Sequence, residues 1–182
     1  MKNIKNVYVG LSADILHEGH INILKTASKY GNVIVGLLTD EAIASYKNIP
    51  YLDFKKRKVV VENIKYVTKV IPQNTLDYVY NLNLIKPKYV VHGDDWKNGV
   101  QKKTRDRVIK TLRKWSGKLI EPKYTKNISS TEIKNKISNI LLSPNNRVSR
   151  LKRLINSKNI VWILESHNSL TGLIIENTKV KK

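Results

Sequence analysis

Two of the four histidines in the chain, His17 and His20, stand three residues apart in the segment HEGH, shortly after the apolar run VYVG. Histidines at this spacing could ligate a metal, cap the start of a helix, or stabilise charge during a reaction. A zinc-protease helix requires histidines four residues apart, and the remaining histidines, His92 and His167, lie far away in the sequence. The spacing disfavours a zinc site and leaves capping and charge stabilisation open.

A helix that begins at this histidine pair would direct free N–H groups and the positive end of its dipole toward the preceding residues. Phosphate binds readily at such a helix start, and two imidazoles added there would stabilise charge on a phosphoryl group in transit. Gly19, between the histidines, allows a ligand to approach the backbone closely. The residues therefore favour a phosphate-handling site with His17 and His20 as catalytic side chains.

Short apolar runs alternate with helical patterns along the chain, as in proteins with a parallel sheet. This alternation predicts an α/β fold: a Rossmann-like, doubly wound, five-stranded parallel sheet with right-handed crossovers. In a 3-2-1-4-5 strand order, ligands bind at the carboxyl ends of strands one and four. These ends carry GLSADILHEGH and HGDDW, which should line one crevice. Strands are predicted at 6–10, 32–39, 69–72, 88–93 and 118–121, and helices at 20–31, 40–46, 54–67, 75–86, 101–117 and 129–141.

The composition limits the class of protein. A chain of 182 residues with 41% hydrophobic residues can form one α/β domain with an appendage. It has no cysteine, which excludes disulfides and thiolate metal sites, and no apolar run of membrane-spanning length. The net charge of +20 comes from lysines spread along the chain without interleaved aromatic residues. We therefore expect a cytoplasmic protein that acts on small phosphorylated molecules, without a specific nucleic-acid or membrane partner.

The order of the motifs resembles that of the cytidylyltransferases, in which H-x-G-H follows the first strand and an I-S-[ST]-T-like motif precedes the last helix. The matching segments are HEGH and ISST, and the resemblance covers residues 5–141. GLLTDEAIASYK and VVHGDDW are most similar to the phosphonate branch, whose members occur fused to phosphoenolpyruvate mutase. The resemblance implies transfer of CMP from CTP to a small alkylphosphonate, 2-aminoethylphosphonate, with release of pyrophosphate. It also implies Mg²⁺ as cofactor, and we expect a homodimer.

The resemblance assigns a role to each matching residue. His17, His20 and Lys47 would be catalytic. The Mg²⁺ ion would be bound mainly by phosphate oxygens, with help from Asp14 or Asp94. The acceptor would contact Lys47, Arg57, Asp95 and Tyr124, with Lys65 as a lesser candidate. Besides the two histidines, the nucleotide would contact Gly10, Leu11, Ser12, Asp14, Gly19, Gly93, Asp94, Trp96, Ile128, Ser129, Ser130 and Thr131. Asp94 and Trp96 are expected beside the cytosine.

Three positions depart from the pattern of the family. Asn127 stands where glycine is usual, and Tyr124 and Lys65 stand where the glycerol-phosphate enzymes carry arginine. Lysine supplies a point charge without the two-pronged guanidinium. The tyrosine is shared with the phosphonate branch and indicates an acceptor other than glycerol-3-phosphate. Glycerol-3-phosphate or phosphocholine stays open as an alternative acceptor, and Asn127 and the truncated tail leave open a nucleotide-binding module without turnover.

The chain continues beyond the expected transferase domain at 1–142. Residues 143–158 are predicted to be a linker with a basic amphipathic helix at 147–157, and 159–166 a strand, which together form a helix–strand extension. Residues 165–178 resemble the opening of phosphoenolpyruvate mutase, so 159–182 is interpreted as the truncated start of such a domain. The tail should be dispensable for the chemistry, because every implied site residue precedes residue 132.

Overall fold

The computed structural model describes residues 5–97, 101–123, 144–157 and 163–178. Within these ranges, five parallel strands form one sheet in the order β3-β2-β1-β4-β5. The strands are β1 Asn6–Leu11, β2 Asn32–Leu38, β3 Lys69–Gln73, β4 Tyr89–Val91 and β5 Lys118–Ile120. The Rossmann-like, doubly wound sheet and its reversal between β1 and β4 are confirmed.

The helices connect these strands and form the tail. They are α1 Glu18–Ser28, α2 Asp40–Ala44, α3 Phe54–Glu62, α4 Val79–Ile85, α5 Lys102–Arg113, α6 Pro144–Ser157 and α7 Ser169–Asn177, with a 3-10 helix at Asp94–Lys97. None of the helices in the described ranges is both long enough and apolar enough to cross a membrane.

The five helices predicted between β1 and β5 are all shorter than expected, and α3, α4 and the helix Lys102–Arg113, predicted at 101–117, each lose five residues. Helix α4 begins at Val79 rather than at residue 75, because Asp77 Oδ1 accepts from the Val79 N–H and the Asp77 carbonyl accepts from the Thr75 hydroxyl, which holds a turn. Helix α3 ends at Glu62 rather than at residue 67. The following residues turn back toward the sheet, where the Thr68 N–H donates to the carbonyl of Val33.

The core lies on both faces of the sheet, because successive side chains of a strand point to opposite sides. Val7 and Val9 of β1 belong to the apolar cluster that includes Leu24 of α1. Tyr8 points the other way, into the cluster that includes Leu82 of α4. This two-sided burial explains why the central strands read as almost continuous apolar runs.

The tail differs from its prediction in one element. The basic helix is confirmed, although it begins at Pro144, a residue well suited to the first turn of a helix. Residues 163–166 form no regular structure, so the predicted strand at 159–166 is wrong over this part, and 159–162 lie outside the described residues. Helix α7 follows, because Asn168 and Thr171 form a capping box at its start. The helix predicted at 129–141 also lies outside the described residues.

Candidate active site

A cavity of about 290 Å³ opens at the carboxyl ends of β1 and β4, where the strand order reverses. This is the position expected for a ligand site in an open α/β sheet. Its size falls at the lower end of the range for small-molecule sites. The predicted site residues that line it are Gly10, Leu11, Ser12, His17, Gly19, His20, Lys47, Gly93 and Asp95.

The two histidines cap helix α1 together. His17 is the N-cap residue, and its Nδ1 accepts from the Gly19 N–H at 3.2 Å. The Nδ1 of His20 accepts in turn from the His17 N–H at 3.4 Å, which completes a capping box. Helix α1 therefore begins at Glu18, two residues before the predicted start. The same two histidine side chains therefore cap the helix and line the cavity.

This capping fixes which ring nitrogen carries the proton. A neutral imidazole has one N–H and one acceptor nitrogen, so acceptance at Nδ1 leaves the proton on Nε2. Burial lowers the pKa of His17, and it lowers the pKa of His20 to about 4, with further contributions from the charges of His17 and Lys47. At neutral pH both rings are therefore uncharged Nε2–H donors. The ring centroids are 4.0 Å apart.

Lys47 brings a positive charge to the cavity. It follows α2, and its N–H donates to the carbonyl of Ile43, so the last turn of the helix positions it. Its Nζ donates to Ser12 Oγ at 3.2 Å and lies 5.3 Å from the centre of the Tyr46 ring. Lys47 thus links the end of α2 to the loop after β1, and the cavity gains a cation beside the two neutral donors.

The segment after β4 places His92, rather than Trp96, at the cavity. The two rings stack at 3.9 Å with an interplanar angle of 8°, and Trp96 is 1% exposed. The indole N–H of Trp96 donates to Glu121 Oε1 at 2.8 Å. Hydrogen bonds from Arg105 hold the pKa of Glu121 below its usual value, so this acceptor stays charged. Trp96, expected beside the cytosine, instead lies behind His92 and supports it.

The carboxylates proposed for Mg²⁺ do not line the cavity. Asp14 is buried, and its Oδ1 accepts from the Tyr51 N–H at 2.6 Å. The Asp94 N–H donates to the carbonyl of Pro122, whereas the neighbouring Asp95 lines the cavity. No group of three or more His, Cys, Asp or Glu side chains that could hold a metal ion occurs among the described residues. The described residues therefore supply no protein-built metal cage, and help from Asp14 or Asp94 to a Mg²⁺ held by phosphate oxygens remains a prediction.

Arg57, expected to contact the acceptor, is fully buried and does not line the cavity. Its guanidinium donates to the carbonyls of Ser12 at 2.5 Å, Leu38 at 2.8 Å and Leu52 at 3.1 Å. It also forms an ion pair with Asp40 Oδ1 at 2.7 Å. Arg57 therefore joins the ends of β1 and β2 to the segments on either side of Lys47, which positions the cavity walls.

The remaining predicted residues lie away from the cavity or outside the described ranges. Lys65 is exposed, and its ammonium lies 5.1 Å from the centre of the Tyr66 ring rather than at the cavity. Tyr124 and the ISST segment at 128–131 are not among the described residues.

Sequence reasoning missed eight residues that line the cavity: the apolar Ile23, Leu38, Leu76 and Val91, and the polar or aromatic Tyr46, Tyr78, His92 and Gln101. His92 could have been found, because it directly follows β4, whose carboxyl end was expected at the crevice. Nothing in the sequence around Tyr78 indicates that it lines the cavity. It is buried and packs against Gly10, where an added Cβ would overlap the phenol ring.

Comparisons with known proteins identify relatives with the same fold and the family to which they belong. The Cytidylyltransferase-like family matches residues 8–136. An ethanolamine-phosphate cytidylyltransferase from Dictyostelium discoideum is 34% identical over 132 residues, which cover 70% of this chain and 35% of that protein. A glycerol-3-phosphate cytidylyltransferase from Bacillus subtilis is 33% identical over 100 residues, covering 51% of this chain and 74% of that protein. The chain thus spans about a third of the length of the ethanolamine-phosphate enzyme.

One solved structure shows the fold alone. The lipopolysaccharide core biosynthesis protein from Thermoplasma volcanium superposes with a TM-score of 0.58 at 22% identity, and the match covers 68% of this chain and 100% of that one. The family match includes β1 from Tyr8 onward, the other four strands, the capped histidine pair and the segment after β4. The chain belongs to the cytidylyltransferase-like family.

Proposed function

We propose that this chain transfers the cytidylyl group of CTP to a small alkylphosphonate, 2-aminoethylphosphonate, and releases pyrophosphate. The observation that carries the proposal is the pair of neutral Nε2–H donors, His17 and His20, in the same cavity as the Lys47 ammonium. This set suits a phosphoryl group that gains negative charge during transfer. Cytidylyl transfer is supported by the names of the relatives. The phosphonate acceptor is supported by the similarity of GLLTDEAIASYK and VVHGDDW to the phosphonate branch.

In the proposed reaction, an oxygen of the acceptor attacks the α-phosphorus of CTP in line. The new P–O bond forms as the bond to the bridging oxygen breaks, and pyrophosphate leaves with that electron pair. Catalysis then consists of positioning and charge stabilisation, without a covalent enzyme intermediate. His17 and His20 donate from Nε2 to the oxygens of the α-phosphate, and the start of α1 adds its positive dipole end.

Lys47 would neutralise the acceptor or the α-phosphate, so that two anions can approach each other. An ammonium on the acceptor would be favoured by an aromatic face and by a carboxylate. Tyr46 and Asp95 line the cavity and supply both features. Asp95 therefore keeps its predicted contact with the acceptor, and Tyr46 joins it as a group that would recognise the aminoethyl end.

Mg²⁺ would be held mainly by the phosphate oxygens of CTP and by water, with Asp14 or Asp94 as the predicted protein contacts, and would supply positive charge for the pyrophosphate group. Ser129, Ser130 and Thr131 remain predicted contacts of the β- and γ-phosphates, and Ile128 and Tyr124 remain predicted neighbours of the substrates. A homodimer and a cytoplasmic location remain predictions as well.

A phosphate ester is the second candidate acceptor, because the relatives are named for ethanolamine phosphate and glycerol-3-phosphate. Ethanolamine phosphate differs from 2-aminoethylphosphonate by one bridging oxygen, and the two acceptors carry similar charges. Charge in the cavity therefore cannot separate them, and the shape around the phosphorus must do so.

Pyrophosphate release should be measured with CTP, UTP, ATP and GTP against four acceptors: 2-aminoethylphosphonate, 2-hydroxyethylphosphonate, ethanolamine phosphate and glycerol-3-phosphate. We expect CTP with 2-aminoethylphosphonate to give the highest kcat/KM. A higher value for either phosphate ester would contradict the phosphonate proposal and leave cytidylyl transfer standing. Nucleotide binding without turnover on any acceptor would instead support a nucleotide-binding module.

A further inference from the structure

One arginine of helix α6, in the tail of the chain, contacts both ends of the segment that carries Lys47. The guanidinium of Arg153 donates from Nη2 to Asp40 Oδ2 at 3.1 Å and from Nη1 to the Tyr51 carbonyl at 2.7 Å. Asp40 is the first residue of α2, and Tyr51 lies four residues beyond Lys47. A single side chain therefore bridges the two ends of the segment at residues 40–51.

The loop end of this segment is held at three points. The Tyr51 carbonyl accepts from Arg153, and the Tyr51 N–H donates to Asp14 Oδ1, in the loop after β1. The guanidinium of Arg150, also on α6, lies 4.9 Å from the centre of the Tyr51 ring. Helix α6 thus contacts Tyr51 through two arginines while the loop after β1 contacts it from the other side.

The helix end of the segment is held by two arginines on one carboxylate. Asp40 Oδ1 pairs with the buried Arg57, and Asp40 Oδ2 pairs with Arg153. The side chains of Asp40 and Arg153 are only 14% and 24% exposed, so these charge-assisted bonds are partly shielded from water. Arg57 also binds the Ser12 carbonyl, and the Ser12 hydroxyl accepts from Lys47. A continuous set of polar contacts therefore runs from α6 to the cavity.

We propose that Arg153 is a positioning residue for the transfer reaction, which holds the segment at 40–51 so that Lys47 stays in the cavity wall beside Ser12. The inference rests on the proposed function, in which Lys47 neutralises phosphate charge. Helix α6 would then be required for full activity, in contrast to the sequence-based expectation that the tail is dispensable.

A double-mutant cycle on the full chain tests whether Arg153 acts through Lys47. Arg153→Ala should lower kcat/KM for pyrophosphate release by about tenfold, since it removes two charge-assisted bonds. In the Lys47→Ala background, the same substitution should change kcat/KM by less than about twofold. Lys152→Ala is the matched control, because it removes one exposed positive charge from the same helix and should leave kcat/KM unchanged. Equal losses from Arg153→Ala in both backgrounds would overturn the proposal.

Amide hydrogen exchange gives a second readout that does not depend on activity. Arg153→Ala should accelerate exchange in residues 45–52 by about tenfold or more and leave exchange in β1 unchanged. In the control variant Lys152→Ala, residues 45–52 should exchange at the wild-type rate. Unchanged exchange in residues 45–52 would overturn the positioning role even if no acceptor were turned over, whereas a wild-type chain without turnover would count against the proposed function alone. If Arg153→Ala does not fold, Arg153→Lys replaces it, because one ammonium cannot reproduce both bonds.

Discussion

His20 offers a direct test of the capped, neutral histidine pair, because its protonation should destabilise the fold. Burial lowers its pKa from 6.5 to about 4. Between these pH values the unfolded chain binds a proton that the folded chain does not, so stability falls as the pH falls. The full shift corresponds to about 3 kcal/mol, and at pH 4.5 about 2.5 kcal/mol of it is already lost. The proton on Nδ1 would also break the bond from the His17 N–H.

The substitution His20→Gln isolates this effect. Glutamine is a usual residue at the third position of a capping box, so it should keep the bond to the His17 N–H without titrating. Urea unfolding at pH 7.5, 6.5, 5.5 and 4.5 should give similar stabilities for the two proteins at pH 7.5. At pH 4.5 the wild type should have lost about 2.5 kcal/mol more than the variant. Because both proteins share all other titrating groups, parallel pH curves would refute the assignment of a depressed pKa to His20.

Three further perturbations have defined outcomes. Lys47→Ala should lower kcat/KM for pyrophosphate release about 100-fold and leave the Tm within about 2 °C, since the side chain is exposed; unchanged turnover would exclude Lys47 from the chemistry. Arg57→Lys should lower the free energy of unfolding in urea by about 2–4 kcal/mol, because one ammonium cannot donate to Asp40 and to three carbonyls at once. A loss below about 0.5 kcal/mol would contradict the structural role of Arg57. Gly10→Ala should cost about 1–3 kcal/mol in the same assay through overlap with Tyr78, and Tyr78→Leu in that background should restore part of it if the overlap is the cause.

The fold was predictable because its strongest signals are local. Strands buried on both faces need almost continuous apolar runs, so β1 and β2 stand out in the sequence. The location of the cavity follows from the strand order, since polar segments after β1 and β4 must meet where the order reverses. His17 and His20 therefore could be placed at this cavity from the strand order, whereas Lys47, which follows β2 and α2, was assigned to it only through the resemblance to the cytidylyltransferases.

The partners of individual side chains were not predictable, because they depend on residues distant in the sequence. Arg57 lies in the run KKRK among three lysines, and nothing local distinguishes a buried arginine from its solvated neighbours. Its burial is possible only because carbonyls from three segments and Asp40 satisfy it. Likewise, an aromatic residue after β4 indicates a stacking surface, yet only the position of Glu121 on the neighbouring segment shows which way Trp96 faces.

The place of β1 in the sheet has a consequence for synthesis on the ribosome. On one side β1 pairs with β2, and the whole β3-β2-β1 half is complete once Gln73 has been made. On the other side β1 must wait for β4, where Val7 aligns with Tyr89. A chain grows from its N-terminus at about 5–20 residues per second, so the residues from Gln73 to Val91 take about 1–4 s to add, and this flank of β1 stays uncovered for at least that long.

The cavity lies at this junction between β1 and β4, which forms late. In a chain that ends at residue 85 and has been released from the ribosome, the amides of β2 should already be protected from exchange. Protection of β2 that appears only in chains long enough to contain β4 would contradict this order. The β1–β4 junction that forms the cavity can thus close only after the β3-β2-β1 half is complete, and the histidine pair has no opposite wall until β4 arrives.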